Sequence, residues 1–317
     1  MIEINNLTKR YGALTALDGL TLSIKQGEVF GFIGPNGAGK STTMKILACL
    51  LKPDAGSASV CGLDIAGDGD EIRRLIGYMP DFLGVYEDLT VDEYLQFFAA
   101  AFGIVRGRRR VLVSQVLELT DLTQKRDALV DSLSRGMQQR LGVARVLIHD
   151  PKVLLLDEPA SGLDPRARIE MRELLQELAR MGKTLMVSSH ILSELGEMCN
   201  TIGIIERGKL LYAGSIQEAF EKTRAAAPAG ERILVKLERE GACASVVAAA
   251  LAGEARVARC TPDEATAELL VELAPGEHGH HFLIERLIAA GARIRGFQPA
   301  ELKLEDAFLR LTTGALQ

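Results

Sequence analysis

The run Gly34-Pro35-Asn36-Gly37-Ala38-Gly39-Lys40-Ser41-Thr42 constrains the fold more than any other stretch of the chain. It follows the apolar segment GEVFGFI and precedes STTMKILACLLK, in which Met44, Leu47, Ala48 and Leu51 recur at helical spacing. Strand, glycine loop and helix in that order predict a phosphate-binding loop, with the helix covering STTMKILACLLK. Glycines let successive backbone N–H groups turn toward phosphate oxygens, and the helix N-terminus adds its positive end. Lys40 supplies a point charge toward the β- and γ-phosphates, and Ser41 is placed to ligate magnesium. A Gly-rich turn before a helix is the plain alternative, and the strand-to-helix context argues against it.

A second segment extends the same chemistry. The run VLLLDEP puts Asp157 and Glu158 at the end of a buried strand, where ligands bind in open α/β sheets. Adjacent carboxylates there divide two jobs. Asp157 would hold magnesium, and Glu158, aimed differently, would polarise the water that attacks the γ-phosphate.

The rest of the chain frames these motifs. Alternating runs such as MIEI and LTLSI, between Met1 and about Gly27, predict an antiparallel strand region. From about Leu89 to Ile148 the pattern is mostly helical, opening on Thr90 with Glu93 three residues later, a capping-box arrangement. KVLLLDEP and KTLMVSSH then flank the helix RARIEMRELLQELARMG, an alternation that favours a parallel α/β sheet. The Ala/Pro/Gly-rich AAAPAG at residues 225–230 marks a change of composition. Beyond it the order strand, helix, strand, strand, helix, strand predicts a ferredoxin-like α+β domain. The expected domains are therefore residues 1–220, with a helical part at about 85–148, and residues 221–317 as a C-terminal accessory domain.

Composition excludes other classes. With 47% hydrophobic and 25% charged residues the chain can bury a sizeable core, and a net charge of -5 gives no basic footprint for a nucleic-acid backbone. The five cysteines are scattered without a C-x-x-C pair, so neither a disulfide framework nor a zinc knuckle is expected, and a reducing cytosol fits. No apolar stretch approaches the ~20 residues that span a bilayer, so membrane association is expected through a partner.

A phosphate loop and an acid pair leave many NTPases open. The segment LSRGMQQR, from Leu133 to Arg140, resembles the ABC signature motif. With Tyr11 upstream, SGLD ending at Asp164 and SSH ending at His190, its order and spacing resemble an ABC transporter ATPase over residues 1 to about 215. The resemblance implies a P-loop cassette with a RecA-like core, an antiparallel β subdomain and a helical subdomain, using ATP and Mg2+. It implies that Tyr11 stacks on adenine and that His190 contacts the γ-phosphate. Ser134, Arg135, Gly136, Met137 and Gln138 would face ATP held by a second ATP-binding subunit, self or paralogue, with Asp164 at the dimer interface. Two such cassettes would close on ATP and drive an integral membrane permease from the cytoplasmic face, with no nucleic acid involved. Tyr86 in the helical part would face that permease.

The sequence departs from the family pattern in places. Asp81 stands where a glutamine is usual; a carboxylate is a hard oxygen donor and remains a candidate magnesium ligand. Arg135 replaces a usual glycine and Met137 a usual glutamine, and Arg135 brings a charge suited to phosphate. The combination of MPDF, LSRGM and the trailing LEDAFLRLT, Leu304 to Thr312, resembles exporter subunits of the drug- and polymer-efflux type. Two alternatives stand beside an exporter: a soluble ABC ATPase acting on nucleic acid or the ribosome, and an importer whose tail senses a metabolite. Proteins of the first kind carry tandem cassettes, long coiled coils or zinc modules, whereas this chain has one phosphate loop, no sustained heptad run and no metal-spaced cysteines. Arg106 to Arg110 fits a solvated face, His278, His280 and His281 fit a helix start better than a metal site, and ASVVAAALA fits core packing.

Overall fold

The computed structural model describes residues 1–82, 84, 88–191, 195, 196, 198–219, 231–238, 241, 243–274, 276 and 279–300. Tyr86, AAAPAG, His278 and the LEDAFLRLT segment lie outside the described residues. Contacts divide the chain into two compact units, the first covering Met1–Gln217 and the second beginning at Glu218.

The first unit holds two sheets. In the antiparallel one, β1 (Ile2–Tyr11) and β2 (Leu14–Ile24) are joined by β4 (Ala55–Val60) and β5 (Leu63–Asp64), in the order β2-β1-β4-β5. Alternation along β1 and β2 sends Ile2, Ile4, Leu20 and Leu22 into one core with Met44 and Leu47. The second sheet runs β10-β9-β3-β8-β7-β6, from β3 (Val29–Ile33), β6 (Ile76–Met79), β7 (Val153–Leu156), β8 (Thr184–Ser189), β9 (Thr201–Glu206) and β10 (Lys209–Ser215). All of its neighbours pair parallel except β10, which pairs antiparallel with β9. β3, β7 and β8 are buried along their whole length, so β3 and β7 show no alternation of apolar and polar residues, and β8 sets Leu185–Val187 between the buried hydroxyls of Thr184, Ser188 and Ser189. Parallel pairing brings the C-terminal ends of these three strands together on one edge of the sheet.

The phosphate loop leads from β3 into α1 (Lys40–Leu47). This helix stops short of the STTMKILACLLK expected from apolar spacing. Cys49 takes a left-handed φ of 56°, and the N–H groups of Cys49 and Leu50 turn back to the carbonyls of Ile46 and Lys45 at 2.9 Å each. That is a Schellman stop built on a cysteine instead of the usual glycine, so the sequence carried no stop signal.

After α2 (Gly69–Leu75) and β6, the helical part comprises α3 (Val91–Ala101), α4 (Arg106–Leu119) and α5 (Arg135–Leu147), with short 3-10 turns before α5. Thr90 and Glu93 form the expected capping box: Glu93 N–H donates to Thr90 Oγ1 at 3.3 Å and Thr90 N–H to Glu93 Oε2 at 2.9 Å. Such a cap contributes about 1 kcal/mol. The chain returns through α6 (Pro165–Arg180), whose Met171, Leu174, Leu175 and Leu178 are buried.

The second unit follows the order β11 (Arg232–Leu237), α7 (Ala244–Leu251), β12 (Val257–Asp263), β13 (Glu268–Leu273), α8 (His281–Ala289), β14 (Ile294–Pro299). Its antiparallel sheet has the order β12-β13-β11-β14. Val247 and Leu251 of α7 and Leu283 and Leu287 of α8 pack on Ile233, Val235, Leu269 and Val271, so ASVVAAALA serves the core. His280 stands at the N-cap of α8, with Nε2 2.5 Å from Glu231 Oε2, and His281 pairs with Glu285 at 3.3 Å.

Candidate functional site

Gly34 to Thr42 curl at the end of β3. A Cβ on Gly34 would lie 2.3 Å from the carbonyl oxygen of Ile205, and one on Gly39, whose φ is 113°, 2.7 Å from that of Ala16. These approaches require glycine at both positions. Pro35, Asn36, Gly37 and Ala38 complete the loop, and Ala38 N–H closes a turn onto the carbonyl of Pro35 at 3.1 Å. Lys40 is buried and its Nζ donates to the carbonyls of Gly34 at 2.6 Å and Pro35 at 3.3 Å. Ser41 and Thr42 open α1, where Ser41 is exposed.

Across the sheet edge, Leu156 of β7 pairs with Val187 of β8, so Asp157 comes level with Ser188. Ser188 Oγ donates to Asp157 Oδ1 at 2.6 Å and accepts the N–H of Glu158 at 2.9 Å. One hydroxyl thus fixes both acids. Glu158 has a left-handed φ of 52°, a conformation that costs on the order of 1–3 kcal/mol and turns its side chain away from Asp157's. Its Oε1 lies 3.3 Å from Lys40 Nζ and its Oε2 2.8 Å from His190 Nδ1. The carboxylate accepts the hydrogen bond, so His190 Nδ1 carries the proton. Lys40, Glu158 and His190 therefore form a contiguous chain, joined by an ion pair and a hydrogen bond, over the ends of β3, β7 and β8.

Asp81 is exposed just past β6. Partial desolvation, then the charges of Asp157 and Glu158, push its carboxyl pKa up, while Arg135 and His190 pull it down. Tyr78, earlier on the same strand, has a buried hydroxyl without a hydrogen-bond partner; burial, with Asp157 and Asp81 beside it, holds the phenol protonated.

The remaining candidate residues make their contacts elsewhere. Tyr11, 48% exposed, ends β1 with Lys9 Nζ 5.7 Å from its ring centroid. Ser134 caps α5 by accepting the N–H of Met137 at 3.4 Å, and Asp164 caps α6 by accepting that of Ala167 at 2.9 Å. Gln138 Nε2 donates to the Val130 carbonyl at 3.3 Å. Gly136 lies against α6, since a Cβ there would be 2.8 Å from that of Ala167. Arg140, buried within the same helix, pairs with Asp121 at 3.1 Å and Glu170 at 3.6 Å and so fixes α5 to its neighbours.

Sequence reasoning missed Ser188 and Arg140. Ser188 stood inside the SSH segment, and the two-residue period of a strand gave the available signal: it shares a side with neither Ser189 nor Val187. Arg140 was visible only as the end of the signature run.

A glycine loop with a buried lysine, facing a strand-end acid pair whose second member is held by that lysine and a histidine, defines a P-loop nucleoside triphosphatase. The ABC transporter family model matches residues 17–161. The Nod factor export ATP-binding protein I of Burkholderia orbicola (strain AU 1054) is 42% identical over 220 residues, 69% of this chain and 72% of that protein. The linearmycin resistance ATP-binding protein LnrL of Bacillus subtilis (strain 168) is 31% identical over 317 residues, all of both chains. Among solved structures, a dimeric bacterial ABC transporter cassette superposes with a TM-score of 0.62 at 28% identity, covering 68% of this chain and 98% of that one. The chain belongs to the ABC transporter family, as an ATP-binding subunit that hydrolyses ATP for transport.

Proposed function

We propose that this chain powers export of a solute through a separate membrane permease, as one of two cassettes that close on ATP. The Lys40–Glu158–His190 chain carries the reading, because it gathers a phosphate counter-charge, a base and an imidazole at one strand edge. The direction of transport rests on relatives that are named for Nod factor export and for linearmycin resistance. No helix among the described residues is long and apolar enough to cross a membrane, in keeping with attachment through a permease on the cytoplasmic face. Affinity-tagged chain should capture a polytopic membrane protein from detergent-solubilised membranes of its own cells, and that protein should raise ATP hydrolysis. Recovery of the chain from the membrane-free fraction with no such companion would overturn the reading.

The residue roles in this reading are supported by the site geometry and by the resemblance to the family. Gly34 to Thr42 wrap the phosphates, Glu158 takes a proton from the attacking water, and His190 holds Glu158 and reaches the γ-phosphate. Tyr11 offers an open ring face to adenine. Ser134 to Gln138 and Asp164 face the ATP of the second cassette. The hydroxyl of Ser41 and the carboxylate of Asp157 are the hard oxygen donors that Mg2+ takes, and Asp157 is already oriented by Ser188. Bound there, the ion would neutralise phosphate charge.

Asp81 joins that donor set in this reading as a third hard oxygen donor near Asp157, with partial desolvation, then the charges of Asp157 and Glu158, raising its carboxyl pKa. Asp81→Asn should shift the magnesium dependence of phosphate release to higher concentration, and Asp81→Gln should retain or raise the maximal rate. Superimposable magnesium titrations for wild type and both variants would remove Asp81 from the metal site.

The second unit is an accessory domain of ferredoxin-like topology, a reading supported by its βαββαβ order and by the sheet order β12-β13-β11-β14. Its hydrophobic core is its own. A chain ending near Gln217 should remain soluble and bind ATP by calorimetry; an insoluble product would show that the tail belongs to the cassette core.

A further inference from the structure

Arg135 occupies a position where the family pattern has glycine, and its side chain is turned onto its own chain. Gly162, with a φ of 67°, lies in the SGLD segment between Glu158 and Asp164. A Cβ built on it would meet Arg135 Cζ at 2.4 Å, Nη1 at 2.5 Å and Nη2 at 2.6 Å. The guanidinium thus fills the space that a side chain at 162 would need. A planar group covering a bare Cα in this way packs on the backbone without displacing it. The next residue makes a matching approach, Gly136 against Ala167 in the first turn of α6. The start of α5 and the 161–167 segment are therefore in contact at two successive positions, and each contact depends on a glycine.

We propose that Arg135 is a positioning residue, seated on Gly162, that holds the signature turn and the Ser161–Asp164 turn together as one edge of the ATP interface. This rests on the reading that both turns face the ATP of a second cassette. Closure of two cassettes then presents Ser134, Gly136 and Asp164 as a preset group, and loosening Arg135 lets the two turns move independently. Lysine cannot replace it, because an ammonium lacks the flat face that lies on Gly162.

A double-mutant cycle and a dimerisation assay test the clamp in the full chain. The first pairs Arg135→Ala with Gly162→Ala and is read as urea midpoints of the nucleotide-free protein, which needs no second cassette. Strain from alanine at a left-handed φ is the same in either background, whereas displacement of the guanidinium occurs only when Arg135 is present. Gly162→Ala should therefore shift the midpoint more in the Arg135 protein than in the Arg135→Ala protein, and equal shifts would overturn the seat. The second is read as ATP-driven dimer mass by light scattering in a Glu158→Gln background. Arg135→Ala and Arg135→Lys should each raise the ATP concentration at half-dimerisation roughly fivefold. An unchanged half-dimerisation concentration in both variants would overturn the link between the seat and the ATP interface. Failure of the parent Glu158→Gln protein to dimerise would instead count against the two-cassette reading, leaving the first cycle to decide the seat.

Discussion

Purified Glu158→Gln protein should bind ATP yet release phosphate at least about 100-fold more slowly than wild type, the usual contribution of a positioned general base. The substitution keeps the side-chain length and the backbone hydrogen bond from Glu158 N–H to Ser188 Oγ, so the left-handed turn at 158 persists. What it removes is the basic oxygen. In the native chain Oε2 accepts from His190 Nδ1 at 2.8 Å and Oε1 faces Lys40 Nζ at 3.3 Å, so the carboxylate is oriented from both sides before any water arrives. An amide keeps one acceptor for one of these partners and presents an NH2 to the other. With hydrolysis stopped, ATP should hold two cassettes together, seen by light scattering as a doubling of mass that ADP does not produce. Phosphate release near the wild-type rate would take the base role away from Glu158. The His190→Ala protein gives an independent check, since it leaves the carboxylate in place and removes the group that orients Oε2; its rate should fall while ATP-driven dimerisation survives.

Much of this site was legible in the sequence because its parts are local. The phosphate loop, the acid pair and the Thr90 capping box each lie within a few consecutive residues, where spacing alone fixes which groups can meet. The buried strands were legible for a related reason: a strand covered on both faces must be apolar throughout, as Val153 to Leu156 are. What could not be read were contacts between segments far apart in the chain. Ser188 joins Asp157 and Glu158 only because β7 and β8 pair in one register, and the seat of Arg135 on Gly162 needs α5 packed beside α6. The end of α1 was missed for a local reason, since Cys49 does what a glycine normally signals. Strands β4 and β5, which complete the antiparallel sheet, are short, with exposed residues such as Ser57 and Asp64, and offered no periodicity to find.

Lys40→Ala should lower ATP affinity roughly 100-fold, within the about 2–5 kcal/mol lost when one partner of a buried charged pair is truncated. The side chain is 6% exposed, and its ammonium has three oxygen neighbours: the carbonyls of Gly34 and Pro35 and the carboxylate of Glu158. Its positive charge is thus already inside the curl of the loop before nucleotide binds, with Glu158 as its counter-charge. ATP brings a stronger set of anionic oxygens to the same place, and the ammonium can turn to them from the carbonyls without leaving the loop. Removing it leaves the backbone N–H groups and the N-terminus of α1 as the phosphate donors, which carry only partial charge. It also leaves Glu158 Oε1 buried with no positive neighbour, so repulsion between that carboxylate and the phosphates adds to the loss. Lys40→Met separates these causes, because methionine refills the apolar stem of the lysine and so removes the cavity from the comparison. Equal weakening in the two variants, by calorimetric titration with ATP, identifies charge as the cause. Glu158→Gln placed in the Lys40→Ala protein should then recover part of the affinity, since it relieves the repulsion. Unchanged affinity in Lys40→Ala would mean that the backbone cradle alone binds the phosphates, and the buried pair would then serve only to hold the base.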